Sequence, residues 1–246
     1  LDYTPLVFNE IKRSFDPDAT GVIVVLDTRE AAYVRKRFGN SVELCILSEF
    51  MNEHWGEFTL EKLCYYEEEY DASPIWKYIY TDRFLIHRDY DYCVHTTAGL
   101  FAFWEHIFTT YHIDFYFDEV IGTLFTYVAY LVGRKLGADY YSLLIMRSVG
   151  LDLTHHYILN DPFEMIYDFP ENYRDIEYSP EQIKAAEDFL TGFEEKHSRP
   201  AFMQFSGRKP RFKASFLLLP FFWIRQRLFN PHTVDKGNYI FYKDRH

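Results

Sequence analysis

Cysteine is scarce. Cys45, Cys64 and Cys93 are three in 246 residues, an odd number without metal-ligand spacing. That excludes a disulfide framework and a zinc module, and it suits buried or inert thiols in a reducing compartment. Long apolar runs are missing too, since none approaches the ~20 residues that a membrane-spanning helix needs. The opening LDYTPLVFNEIKRSF carries carboxylates where a secretory leader would be apolar, so no signal peptide is expected. There is no glycine-rich phosphate loop after the first apolar run. The turn there is Asp27-Thr28-Arg29-Glu30, where a dinucleotide fingerprint would need G-x-G-x-x-G, which argues against a classical NAD or ATP site. Internal repeats are absent as well.

Positive charge is short over most of the chain. The net charge is −11, yet Lys196–His246 holds 11 Lys+Arg against 2 Asp+Glu, which leaves Leu1–Glu195 with 15 against 35. Phosphate contacts need a basic surface, so no nucleic acid is expected on the acidic body. The basic tail suits an anionic partner. What the chain does have is aromatic residues, 20% of the total with 21 Tyr and 24 Phe. Such rings stack on sugars or bases, but most of them fill cores.

Hydrophobic periodicity alternates between strand and helix. Gly21–Leu26 reads as a buried strand, Ala31–Phe38 as a helix stopped by Gly39, and Val42–Leu47 as a second strand. Phe58–Arg88 reads as helical with a break around Asp71–Pro74, its Tyr65-Tyr66-Glu67-Glu68-Glu69-Tyr70 run forming a solvated face. Ala98–Tyr111 is a further amphipathic helix. The stretch Tyr111–Gly150 reads as one strand–helix–strand unit. Asp114–Phe117 is its first strand and Asp118-Glu119 the turn. Gly122-Thr123 then opens a helix with Leu124, Phe125, Val128, Leu131, Val132 and Leu136 at helical spacing, Gly137 is the stop, and Asp139–Met146 is the second strand. Ser179-Pro180-Glu181 starts a last helix running to about Lys196, with serine as N-cap and an acid in the first turn. This alternation predicts an α/β fold: one mostly parallel sheet, built from the strands around 22–26, 42–47, 114–117 and 140–146 and flanked by helices.

The tail changes character after residue 200. Ser206-Gly207-Arg208-Lys209-Pro210 is a loop, Phe216–Phe229 is apolar with Arg225 and Arg227 near its end, and Asn238–Tyr242 reads as a strand. A lone strand beyond a linker, in a chain without an initiator Met, predicts the start of a second domain that lies beyond His246.

Open parallel sheets bind ligands outside the carboxyl ends of their strands. Asp118, Glu119, Arg147 and Ser148 are therefore expected to face one crevice, with Asp27, Thr28 and Arg29 along it. Each has an ordinary alternative. Asp118 and Glu119 can simply stabilise a helix start, Asp27 or Thr28 can cap a helix, and Arg147 can pair with Asp118, Glu119 or Asp152. Asp82-Arg83 reads as an ion pair bracing a helix end. His155-His156 near Asp161 are not a metal site, because adjacent strand residues point oppositely and further ligands at suitable spacing are missing. No metal is expected.

Several segments resemble the N-terminal half of bacterial capsular and surface polysaccharide biosynthesis proteins, which are similar to two-domain GT-B glycosyltransferases. They are Tyr65–Leu85 with its Y-x4-Y, P-I-W and T-D-R-F-L elements, FDEVIGTLFTYVAYLVGRKLGADYYSL in the middle, Ser142–Pro162 ending Y-I-L-N-D-P, and A-F-M-Q-F-S-G-R-K at Ala201–Lys209. The likeness covers most of residues 60–210. It implies a Rossmann-like acceptor-side domain over residues 1–200, a basic and aromatic connection over 201–237, and the first strand of a donor-binding domain over 238–246. The implied activity is transfer of a sugar from a nucleotide-sugar donor to a saccharide or lipid-linked saccharide acceptor in capsule or surface polysaccharide assembly.

On that reading Glu119 is the expected base, with Asp118 as the runner-up, and Asp27, Arg29, Arg147, Ser148, His155 and His156 are substrate contacts. No cofactor is expected in these residues, the nucleotide-sugar donor belonging to the second domain, and these residues alone are expected to be inactive. The expected location is cytoplasmic, with Phe216–Phe229 either packing as a linker or contacting the inner membrane face. The rival readings are a non-catalytic polysaccharide-binding or assembly module and a small enzyme acting on a sugar phosphate.

Overall fold

The longest proline-free aromatic stretch makes the longest helix, and the core forms around it. In the computed structural model, which describes residues 4–14, 17–119, 121–145, 156–159, 177–196, 220–221, 224–225 and 228, the element order is as follows. Helix α1 (Thr4–Ser14) precedes β1 (Val22–Val25), α2 (Thr28–Phe38), β2 (Glu43–Ile46) and α3 (Leu47–His54). A 3-10 turn (Trp55–Glu57) leads to α4 (Leu60–Glu69), α5 (Trp76–Thr81) and α6 (Tyr90–Tyr111). Then come β3 (Phe115–Glu119), α7 (Leu124–Leu136), β4 (Asp139–Ile145), β5 (His156–Leu159) and α8 (Pro180–Lys196).

The chain divides into two compact units. The first comprises Leu1–Phe115, Gly122–Ala138 and Leu217–His246, and the second Tyr116–Ile121 and Asp139–Phe216.

In the first unit α6 is the axis. Its 22 residues extend over about 33 Å, and it packs against α3, α4 and α7. Asp89 starts it by accepting a hydrogen bond from Tyr92 N at 2.8 Å, and His112 ends it in the left-handed region at φ 49. The helix begins eight residues before the expected Ala98, because this cap and the buried Cys93 and Val94 make 90–97 part of the same packed rod. Phe101 and Phe103 are among its fully buried side chains, together with Met51, Phe58, Leu63, Ile75, Ile79, Val128 and Val132 from its neighbours. Close approach is possible at Gly99, where a Cβ would lie 2.6 Å from Met51 Sδ and 2.8 Å from Phe58 Cε2. The expected break near 71–74 is present: Asp71 takes φ 51 between α4 and α5.

A smaller cluster covers the first two strands. β1 and β2 pair in parallel from Val22↔Glu43 to Val25↔Ile46, as the alternation of strand, helix and strand requires. Ile23, Val25, Ala31, Val34 and Val42 are buried there, with Phe8 and Phe38 against them.

The single mostly parallel sheet does not form among the described residues. β1 and β2 make a two-stranded sheet, and β3, β4 and β5 make a separate three-stranded one in which β4 and β5 are antiparallel, Ser142 opposite Leu159 and Ile145 opposite His156. Ten residues, 146–155, separate β4 from β5. A parallel pair needs a crossover of about a dozen or more, whereas an antiparallel pair does not. Four helices intervene between β2 and β3, so the chain mixes helix and strand with helix dominant.

Helix ends follow the sequence signals. Gly137 stops α7 at φ 85. At α8, Ser179 Oγ accepts from Gln182 N at 3.3 Å while Gln182 Oε1 accepts from Ser179 N at 2.9 Å. Among the described residues no helix is long and apolar enough to cross a membrane. In 216–229 the described positions are helical. Phe221, Ile224 and Leu228 are exposed there. The expected loop at Ser206–Pro210 and strand at Asn238–Tyr242 lie outside the described residues.

Candidate functional site

In the first unit the carboxyl edge of β1 and β2 brings Asp27 and Ser48 close in register, since Ser48 N donates to Leu26 O at 3.1 Å. Asp27 is buried, and its Oδ1 accepts from Glu30 N at 2.9 Å, three residues on. Glu30 Oε2 returns a bond from Leu26 N at 3.0 Å. The Glu30 N bond makes Asp27 the N-cap of α2, the ordinary role weighed for it from sequence. Ser48 is fully buried, and its Oγ has no hydrogen-bond partner among the described residues. Arg29 lies in α2, and its side chain falls outside the described set.

In the second unit β3 runs two residues further than expected, so Asp118 and Glu119 are its last two residues and not a turn. Positions two apart on a strand share a face and consecutive positions alternate. Asp118 therefore shares the face of Tyr116, whose ring meets that of Tyr140 on β4 at 5.2 Å between centroids. Tyr140 and Ser142, two apart on β4, are buried, whereas Phe117 and Tyr141 on the opposite face are exposed. Asp118 is half-buried on the inner face. Position 119 is the last of the strand. The Glu119 side chain falls outside the described set, as do Arg147, Ser148 and His155 entirely. His156 opens β5 opposite Ile145.

The start of α7 has a carboxylate that sequence order did not reveal. Asp82 is buried, and its Oδ2 accepts from Leu124 N at 2.6 Å across 42 positions of chain. Its Oδ1 accepts from Phe84 N at 2.6 Å and Leu85 N at 3.2 Å. Thr123 is the N-cap, sharing a capping box with Thr126. Asp82 thus braces the start of α7 by backbone hydrogen bonds, where an ion pair with Arg83 bracing a helix end was expected; Arg83 reaches Gly122 O at 3.5 Å. Only the T-D-R-F-L segment hinted at this role, since a carboxylate followed by backbone N–H groups in a turn is a capping pattern.

Other titratable groups are tuned by packing. Tyr70 donates to Glu105 Oε1 at 2.6 Å. Burial, reinforced by the same carboxylate, pushes the neighbouring Tyr66 up to about 12. Burial first, and then the nearby Asp89 charge, pushes the Cys93 thiol up to about 11. Of the thiols expected to be buried or inert, Cys93 is buried, Cys45 intermediate and Cys64 exposed. Among the described residues no group of three or more His, Cys, Asp and Glu is placed to hold a metal ion. No family model, curated protein or solved structure matches the chain.

Proposed function

We propose that this chain is the acceptor-side half of a glycosyltransferase of surface polysaccharide assembly, acting at the cytoplasmic side with a nucleotide-sugar donor held by a further domain. The observation that carries the reading is the cap of α7. An acid between a strand and a helix is ordinarily explained by the helix start. That start already has Asp82 and Thr123, and on this reading Asp118 and Glu119 are assigned to the acceptor instead. The resemblance of Tyr65–Leu85, the middle segment and Ala201–Lys209 to capsular polysaccharide proteins supplies the reaction class. The parallel pair β1 and β2, joined through α2, is compatible with this reading.

In an inverting transfer a base removes the proton of the acceptor hydroxyl as its oxygen bonds to the anomeric carbon. The bond to the nucleoside diphosphate breaks and the leaving group takes that electron pair. Glu119 is assigned as the base and Asp118 as its alternate, with Arg147, Ser148 and His155 or His156 meeting anionic groups and Asp27 and Arg29 the acceptor.

The test is a transfer assay on the protein carrying both domains, with nucleoside diphosphate release and product mass as readouts. Glu119→Gln should lower turnover by about 10²–10⁴-fold, since glutamine keeps the volume but cannot take the proton. Full activity of Glu119→Gln alongside loss in Asp118→Asn or a His155 or His156 variant reassigns the base. Absence of transfer with every nucleotide sugar tried rejects the transferase reading in favour of a binding module.

A further inference from the structure

Residues 216–229, FLLLPFFWIRQRLF, are apolar at ten of fourteen positions and hold no acid. An apolar segment of that length falls short of the ~20 residues that span a bilayer; it suits a buried core helix or a helix lying in the membrane interface. Exposure decides between the two. The described positions, 220, 221, 224, 225 and 228, are helical. Phe221, Ile224 and Leu228 are 70%, 58% and 70% exposed, so the segment is not a core helix. Spaced three and then four apart, they share one helix face.

Charge selects what covers that face. From Arg199 to Thr233 there are seven Lys+Arg and no Asp or Glu, in a chain whose net charge is −11. Arg225 is exposed and follows Phe221 by four positions, so it borders the apolar stripe. A second copy seated face to face would bring its own Arg225 and the same acid-free basic run against these cations, and like charges repel. An anionic leaflet instead attracts a cluster of four to eight basic residues. The sequence also places Phe222 and Trp223 in this run, side chains of the kind that enter the headgroup boundary.

We infer that Phe221, Ile224 and Leu228, with Arg225 beside them, seat the chain on an anionic lipid surface. The apolar side chains enter between the headgroups, and the cations meet the lipid phosphates. The contact is peripheral, since the segment is too short to cross. The inference stands on exposure and charge and does not depend on the transferase reading.

The test is flotation of the full chain with two kinds of vesicle, phosphatidylcholine alone and phosphatidylcholine with about one-third phosphatidylserine. The chain should float with the anionic vesicles, about 10-fold less with the neutral ones, and detach as salt is raised. Phe221→Ala, Ile224→Ala and Leu228→Ala together should weaken the partition about 100-fold, and Arg225→Gln alone about 5-fold. The thermal transition of the alanine triple should stay where it is, because these side chains already face water; a marked fall means that they pack on protein and overturns the inference. Absence from the anionic vesicles, equal flotation with both kinds, or unchanged flotation of the alanine triple also overturns it. So does a dimer in solution that the alanine triple dissociates, which makes the face a contact between copies. Flotation needs neither donor nor acceptor, so its failure leaves the transferase reading to the transfer assay.

Discussion

The two units use their carboxylates in opposite ways. In the first, Asp27 and Asp82 are buried and hydrogen-bonded to backbone N–H groups at helix starts and in a turn. In the second, Asp118 lies on a strand face beside an aromatic pair, with the next residue at the strand's end. An acid that precedes a helix in sequence is thus not the acid that serves it in space. The carboxylate bracing α7 comes from 42 residues upstream.

The sharpest way to break this contrast is at Asp82. Asp82→Ala leaves Phe84 N and Leu124 N without their acceptor, Leu85 N keeping Asp82 O, and should cost about 2–4 kcal/mol in urea unfolding. Asp118→Asn should cost less than about 1 kcal/mol, as a half-buried residue on a short strand. Equal losses would erase the distinction.

Thiol reactivity offers the next test, of packing around α6. Cys93 is buried with its thiol pushed up to about 11, whereas Cys64 is exposed. The thiolate is the reacting form, and raising the thiol's pKa removes it at neutral pH. At pH 8 Cys93 should alkylate about 100-fold more slowly than Cys64, gaining rate as pH rises toward 11. Equal labelling in peptide mass spectrometry would mean that α6 does not pack as described.

Much of the helical structure was legible because its signals are local. Ser179, Pro180 and Gln182 specify the start of α8 within four residues, and Gly137 specifies the end of α7 through a backbone angle that other residues resist. Strand pairing was legible for β1 and β2, joined by one helix, but not beyond. Nothing in the runs at 22–26 or 114–117 says that they fall in separate sheets, since pairing joins distant segments. The site was legible only in part for the same reason. Asp27 reads as a cap from its own neighbours, but the role of Asp82 depends on Leu124. The length of β3 decides how positions 118 and 119 face, and periodicity leaves element ends uncertain by a few residues.

The smallest effect is expected at α8, in the second unit. Ser179→Ala removes one exposed cap and should cost about 0.5–1 kcal/mol, seen as faster amide exchange at Gln182. Unchanged exchange there would show that the capping box does not hold the first turn.

The central claim is that the acids at the end of β3 serve chemistry while Asp82 serves the fold. It is tested most directly by measuring turnover per folded molecule and unfolding free energy together, for Glu119→Gln and Asp82→Asn. The account predicts that Glu119→Gln loses turnover and keeps its stability, and that Asp82→Asn loses stability and keeps its turnover. It is contradicted if Glu119→Gln transfers sugar at the wild-type rate, or if its turnover falls only because it unfolds.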